Sequence, residues 1–95
     1  MKKAIHDNYA WQTHVIKAMA HPTRLFILNA LKKKETCVCE LTDMVGDAVS
    51  TVSKHLLVLK NAGLVSSRRD ANRLYYRLDC PCVLKFTACV AGIKK

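Results

Sequence analysis

Apolar residues recur three and four positions apart through most of this chain, the period of helices that bury one face. Trp11, Val15, Ala18 and Met19 keep that spacing and predict a first helix over 7–19. His21-Pro22 interrupts it, and Pro22 suits the first position of a second helix, where its missing N–H costs nothing. Residues 23–33 carry Leu25, Phe26, Ile27, Leu28, Ala30 and Leu31, apolar nearly all round, and predict the central, buried helix. Lys32-Lys33-Lys34 close it against the negative end of its dipole. A short third helix is expected over 37–45, with Val38, Leu41 and Val45 on one face and Gly46 as its left-handed stop. The fourth helix, 48–62, is expected to be capped by Asp47 or Ser50. Its stripe of Val49, Val52, Leu56 and Leu59 should face the core, and Gly63 ends it. Two strands are expected over 64–69 and 73–78, joined through the turn chemistry of Asp70-Ala71-Asn72-Arg73. Cys80-Pro81-Cys82 begins a last helix that runs to about Gly92. No repeat, linker or low-complexity tract divides the chain, so a single domain is expected over 1–95. Its class is mainly α with a β-hairpin wing.

Composition narrows the function. Hydrophobic residues make up 51% of the 95, which excludes disorder. No apolar run approaches the ~20 residues of a membrane span. The basic start Met1-Lys2-Lys3 is not followed by the apolar region of a signal peptide, so a cytoplasmic protein with no membrane partner is expected. Sixteen Lys+Arg against seven Asp+Glu give a net charge of +9. Nucleic acid is the commonest partner of such a chain, with an anionic membrane surface second and a merely solvated basic surface third. A core this small is often stabilised by a partner subunit.

Two short helices joined by a tight glycine turn make a helix-turn-helix. With the apolar stripe of the fourth helix turned inward, Ser50, Thr51 and Lys54 point away from the core near its N-terminal end, where a recognition helix meets base edges. Ser53 and His55 lie at the margins and suit phosphate. From Ser50 to Arg77 there are six basic residues, Lys54, Lys60, Arg68, Arg69, Arg73 and Arg77, against one acid, Asp70. A basic hairpin bearing Arg68, Arg69 and Arg73 beside such a helix suits the backbone and minor groove of double-stranded DNA. The alternative is an ordinary helical hairpin with a solvated face. There is no Gly-rich phosphate loop and no nucleophile paired with a base, so no enzyme is expected.

The five cysteines, in a reducing compartment, point to metal binding or redox sensing rather than to structural disulfides. Thiolates are soft ligands that favour Zn(II), Cd(II), Pb(II), Cu(I) and As(III). Cys37 and Cys39 would stand about 200° apart on a regular helix. They share an ion only if the helix starts irregularly at Cys37. Cys82 and Cys89 are two turns, about 11 Å, apart on one face and cannot chelate one ion within a chain. Each cysteine has the alternative of simple packing. His14 and His21 read as packing or capping groups.

Four strings bring these features together: His21-Pro22-Thr23-Arg24-Leu25-Phe26-Ile27-Leu28, Cys37-Val38-Cys39-Glu40-Leu41, Ser50-Thr51-Val52-Ser53-Lys54-His55-Leu56 and Leu59-Lys60-Asn61-Ala62-Gly63-Leu64-Val65. In this order, over roughly residues 10–90, they closely resemble the ArsR/SmtB family of bacterial metal-responsive repressors. The resemblance implies a winged helix-turn-helix, a homodimer joined through the first and last helices, and repression of a resistance or efflux operon that ends when an inducer binds. Cys-Val-Cys followed by an acid and leucine looks like that family's arsenite and cadmium/lead sensing motif. Some arsenic sensors carry a third cysteine where this chain has Thr42, and no cysteine lies in residues 1–36 to complete a thiolate cage from an N-terminal arm. Cys80 and Cys82 fall where some zinc-sensing relatives carry Asp-x-His, and the softer ligands suggest a thiophilic ion. Across an antiparallel pair of last helices, Cys89 of one subunit would approach Cys80 or Cys82 of the other. The expected ligands are thus Cys37, Cys39, Cys80, Cys82 and Cys89. The expected inducer is As(III), with Cd(II), Pb(II) or Zn(II) as alternatives. Two competing functions use the same fold. One is a thiol redox or persulfide sensor, which needs two cysteines within ~4.4–6.8 Å Cα to Cα. The other is a constitutive DNA binder with structural zinc.

Overall fold

The computed structural model describes residues 1–93; Lys94 and Lys95, part of the expected domain 1–95, lie outside the described residues. In chain order the elements are α1 (Lys3–Met19), α2 (Pro22–Lys33), β1 (Thr36–Cys37), α3 (Val38–Val45), α4 (Val49–Asn61), β2 (Val65–Asp70), β3 (Arg73–Leu78) and α5 (Cys82–Ala91). Three antiparallel strands form one sheet in the order β1-β3-β2. The hairpin was legible in the sequence, one residue out of phase in its first strand. The two-residue β1 was not.

The core gathers Ile27, Leu28 and Leu31 of α2, Leu41 of α3, and Val52, Leu56 and Leu59 of α4. Leu64 and Val65 close it where the chain enters the wing, and Met19 and Leu84 bring in α1 and α5. α2 is the central helix, as its sequence implied, though Phe26 on its far side is exposed. Pro22 takes its first position, and His21 caps it by accepting the Thr23 N–H on Nδ1 at 3.1 Å. Gly46 ends α3 with φ 82°, in the left-handed region that favours glycine.

Three expectations are corrected. α1 begins at Lys3 rather than near residue 7. Ile5, Tyr9 and Ile16 extend the helical period along a face that is exposed, as is Trp11. The cap of α4 is neither Asp47 nor Ser50 but Ala48, which offers no side-chain acceptor. Val49 does not face the core: it is 57% exposed, whereas Val52, Leu56 and Leu59 are fully buried. Helical periodicity fixes the angular side of a residue but not how far along the axis the core extends, and Val49 lies past its edge.

Candidate nucleic-acid interface and thiol pair

α3, the Gly46 turn and α4 form the expected helix-turn-helix. Leu41 on one helix and Val52 and Leu56 on the other lock the pair to α2. With those inward, Ser50, Thr51, Ser53 and Lys54 are all exposed on α4. His55 is half-buried and already engaged. Arg24 Nε donates to its Nδ1 at 3.1 Å, and the His21 ring lies 4.5 Å away between centroids. Burial, then the charges of His21 and Arg24, hold His55 below the usual histidine range, with Asp47 pulling weakly the other way. Since Nδ1 accepts, the neutral ring carries its proton on Nε2, the nitrogen left for a phosphate. Arg24 also donates to the Ala18 carbonyl at 3.2 Å, tying α1, α2 and α4 together. The sequence offered no signal for this contact, because Arg24 and His55 are 31 residues apart.

In the wing, Arg68, Arg69 and Arg73 are all exposed. Arg68 is not free: it donates through Nε to Glu35 at 2.8 Å and lies 3.6 Å from Asp70. Its guanidinium sits over the Tyr75 ring at 4.8 Å. The hydrogen-bonded Arg68 guanidinium holds the Glu35 carboxyl below the usual carboxylate range, against a smaller opposing effect of desolvation. Arg77 pairs with Asp79 at 3.3 Å and with Ser66. The ion pairs of the described residues include neither Arg69 nor Arg73.

The cysteines fall into two places. Cys37 ends β1 and is the N-cap of α3, in extended conformation, with its sulfur accepting the Glu40 N–H at 3.3 Å. It is 1% exposed, while Cys39 in the first turn is exposed. Because Cys37 stands outside the helix, the 200° separation of a regular helix does not apply. The two residues lie 5.3 Å apart, Cα to Cα, and are joined as a disulfide, where the sequence predicted free thiols; the N-cap position of Cys37 brings the two sulfurs together. This is the irregular start that sharing a ligand requires. Thr42, where a third thiol was looked for, donates its hydroxyl back to the Val38 carbonyl at 2.7 Å. Cys80 is half-buried, with its sulfur 3.5 Å from the Gly63 carbonyl, and Cys82 and Cys89 are exposed on α5. Cys82 borders an apolar cleft of about 420 Å³ between α1 and α5, lined also by Trp11, Ile16, Met19 and Phe86. Among the described residues no group of three or more His, Cys, Asp or Glu side chains is gathered as a metal site.

Known proteins share this arrangement. The sequence model for the bacterial regulatory protein, arsR family, matches residues 21–67. The nodulation protein NolR of Rhizobium meliloti is 39% identical over 88 residues, which span 93% of this chain and 72% of NolR. A homologue of the cadmium resistance transcriptional regulatory protein CadC of Staphylococcus aureus is 36% identical over 66 residues, 68% of this chain and 54% of that protein. Among solved structures, the homodimeric winged helix-turn-helix DNA-binding domain Mb0332 of Mycobacterium bovis, a possible ArsR-family transcriptional regulator, superimposes with a TM-score of 0.82 at 31% identity. That match covers 96% of this chain and 87% of the other.

Proposed function

The chain belongs to the arsR family of bacterial regulatory proteins, and from that premise we propose that it is a homodimeric, cytoplasmic DNA-binding repressor released from its operator when a thiophilic metal(loid), As(III) first, binds the thiolates of Cys37 and Cys39. The family is one of regulators, not enzymes. One observation carries the reading of the switch: the two sulfurs converge at the residue where the wing's sheet and the helix-turn-helix meet.

Once a thiol reductant opens the Cys37–Cys39 disulfide, giving two thiols and the oxidised reductant, the donor chemistry suits a soft ion. The Cys37 sulfur is held at the start of α3, where it accepts the Glu40 N–H and lies 3.8 Å from the Glu40 carboxylate. Two thiolates satisfy part of what As(III) takes. Thr42 is turned away, so a further donor comes from outside the pair, with Cys80, Cys82 and Cys89 as the remaining thiols. Cd(II), Pb(II) and Zn(II) are the alternatives, and similarity to a cadmium-resistance regulator supports the class of ion rather than one member.

Dimerisation is supported by an exposed apolar surface. Ile5, Tyr9, Trp11 and Ile16 of α1 and Phe86 and Val90 of α5 are all exposed. Of these, Trp11, Ile16, Phe86 and Val90 line clefts whose other side chains are almost wholly apolar, the composition of a homodimer core. The two α4 helices and two wings would then address successive segments of the duplex. Ser50, Thr51 and Lys54 meet base edges, and Ser53, His55, Arg68, Arg69 and Arg73 meet the backbone.

A second reading is favoured by the disulfide itself: the same pair, as thiols, would respond to an oxidant or a sulfane sulfur. The deciding experiment measures operator binding of the wild type and of each Cys→Ser variant, with arsenite and separately with peroxide or persulfide. Mass spectrometry follows the thiols throughout. Release by arsenite, lost in Cys37→Ser and Cys39→Ser, supports the first reading. Release only with disulfide or persulfide formation supports the second. Release lost only in Cys80→Ser, Cys82→Ser or Cys89→Ser moves the sensor to α5.

A further inference from the structure

Val49 is the first residue of α4, and more than half of its surface is exposed. It lies past the edge of the core, and the polar residues Ser50, Thr51 and Ser53 follow it, with Lys54 one turn on. The preceding Ala48 places no capping hydroxyl beside it. The tip of the helix therefore presents a branched hydrocarbon among three hydroxyls and an ammonium group. Ser and Thr hydroxyls both donate and accept, so alone they discriminate weakly among base edges. In the major groove a base pair offers one apolar feature, the C5-methyl group of thymine, and small apolar side chains make contact with it.

Resting on the reading of α4 as the recognition helix, we propose that Val49 is a specificity-determining residue that reads a thymine methyl in each half-site. Leu57, the other large apolar residue exposed on α4, supplies an internal control. It lies eight residues, about 12 Å, further along the axis, beyond the turn that enters the groove.

The test begins by selecting binding sites from a random duplex pool with the full chain. Each selected thymine is then replaced singly by deoxyuridine, which removes only the methyl. One such replacement is expected to weaken wild-type binding about three- to fivefold, the weight of one buried methyl group. Val49→Ala, which loses both γ-methyl groups and with them the reach to the base, should bind the thymine and deoxyuridine duplexes equally. Val49→Thr, which keeps one γ-methyl, should retain the difference, and so should Leu57→Ala. Because Val49 is exposed, the variants should unfold at the wild-type temperature. At the same step 5-methylcytosine·guanine should bind more tightly than cytosine·guanine, since only the methyl group is added; equal binding of the two overturns the methyl contact. If wild type and Val49→Ala show the same thymine preference, or if Leu57→Ala abolishes it instead, the role of Val49 is refuted while α4 remains a reading helix. A chain that selects no sequence at all overturns both.

Discussion

Cys37 stands opposite Tyr75 in the β1–β3 ladder, and Tyr75 lies beneath the Arg68 guanidinium. The same cysteine caps α3. One residue thus belongs both to the sheet of the wing and to the helix-turn-helix, so a change in what its sulfur binds has a short route to both DNA-facing elements. Glu35, two positions before Cys37, holds Arg68 and strengthens the link to the wing.

The first prediction concerns release. Cys37→Ser and Cys39→Ser are expected to keep operator affinity and lose the response to arsenite. Serine is a good helix cap, so the role of Cys37 at α3 survives the exchange, but its hydroxyl is a poor ligand for a soft ion. The lost coupling should be of the order of 1–3 kcal/mol, some 5–150-fold in affinity. Fluorescence anisotropy of a labelled operator, with and without arsenite, measures it. An undiminished response in both variants contradicts the assignment.

Salt dependence tests the wing. Each phosphate neutralised contributes about −0.9 to the slope of log K against log salt, so two wings and two recognition helices should give roughly −4 or steeper. Arg69→Ala and Arg73→Ala should each flatten the slope. Arg68→Ala should flatten it less, because Arg68 must first leave Glu35. Glu35→Gln frees that guanidinium and removes a nearby negative charge, so it should tighten binding to any duplex. A Glu35→Gln variant that binds more weakly would show that the ion pair shapes the wing rather than competes with phosphate.

Base reading and backbone attachment separate by sequence preference. Thr51→Ala and Lys54→Ala should weaken a selected site more than random DNA, by about 1–3 kcal/mol for a good base contact. Arg69→Ala and Arg73→Ala should weaken both alike. Competition assays with the two kinds of duplex give the ratio, and the reverse pattern would mean that the wing does the reading.

His55 makes stability depend on pH. Burial, His21 and Arg24 hold its folded-state pKa below the ordinary 6.5. As pH falls, the unfolded chain therefore takes up the proton before the folded chain does. The contribution of this site is full above about 6.5 and declines as pH drops through that value toward the lower folded-state one. The Arg24–His55 hydrogen bond, which needs an unprotonated Nδ1, is lost over the same interval. Urea unfolding midpoints should fall between about pH 7.5 and 5.5, and fall less in His55→Gln. Equal losses in both proteins would place the effect elsewhere.

Ala71 in the wing turn has φ 55°, where a Cβ is strained. Ala71→Gly should relieve about 1 kcal/mol and raise the unfolding temperature, leaving operator affinity unchanged. A lower temperature would mean that the methyl group is worth more in place than the strain it causes.

What the sequence determined by itself is local. Pro22 at a helix start, Gly46 at a helix stop, the inward stripe of Val52, Leu56 and Leu59, and the exposed Ser50, Thr51 and Lys54 all follow from chemistry within a few neighbouring residues. So does the condition that Cys37 must stand outside the helix if it is to meet Cys39. The tertiary structure decided what depends on distant partners. β1 is two residues long and exists only because Tyr75 and Tyr76, almost forty positions on, supply its ladder. Arg68 meets Glu35 across 33 positions and His55 meets Arg24 across 31, and no spacing rule reaches that far. Val49 shares the angular side of Val52, Leu56 and Leu59 yet is exposed, because it lies past the edge of the core. Periodicity assigns an angle around an axis, and only packing decides where along that axis the protein stops and the solvent, or a ligand, begins.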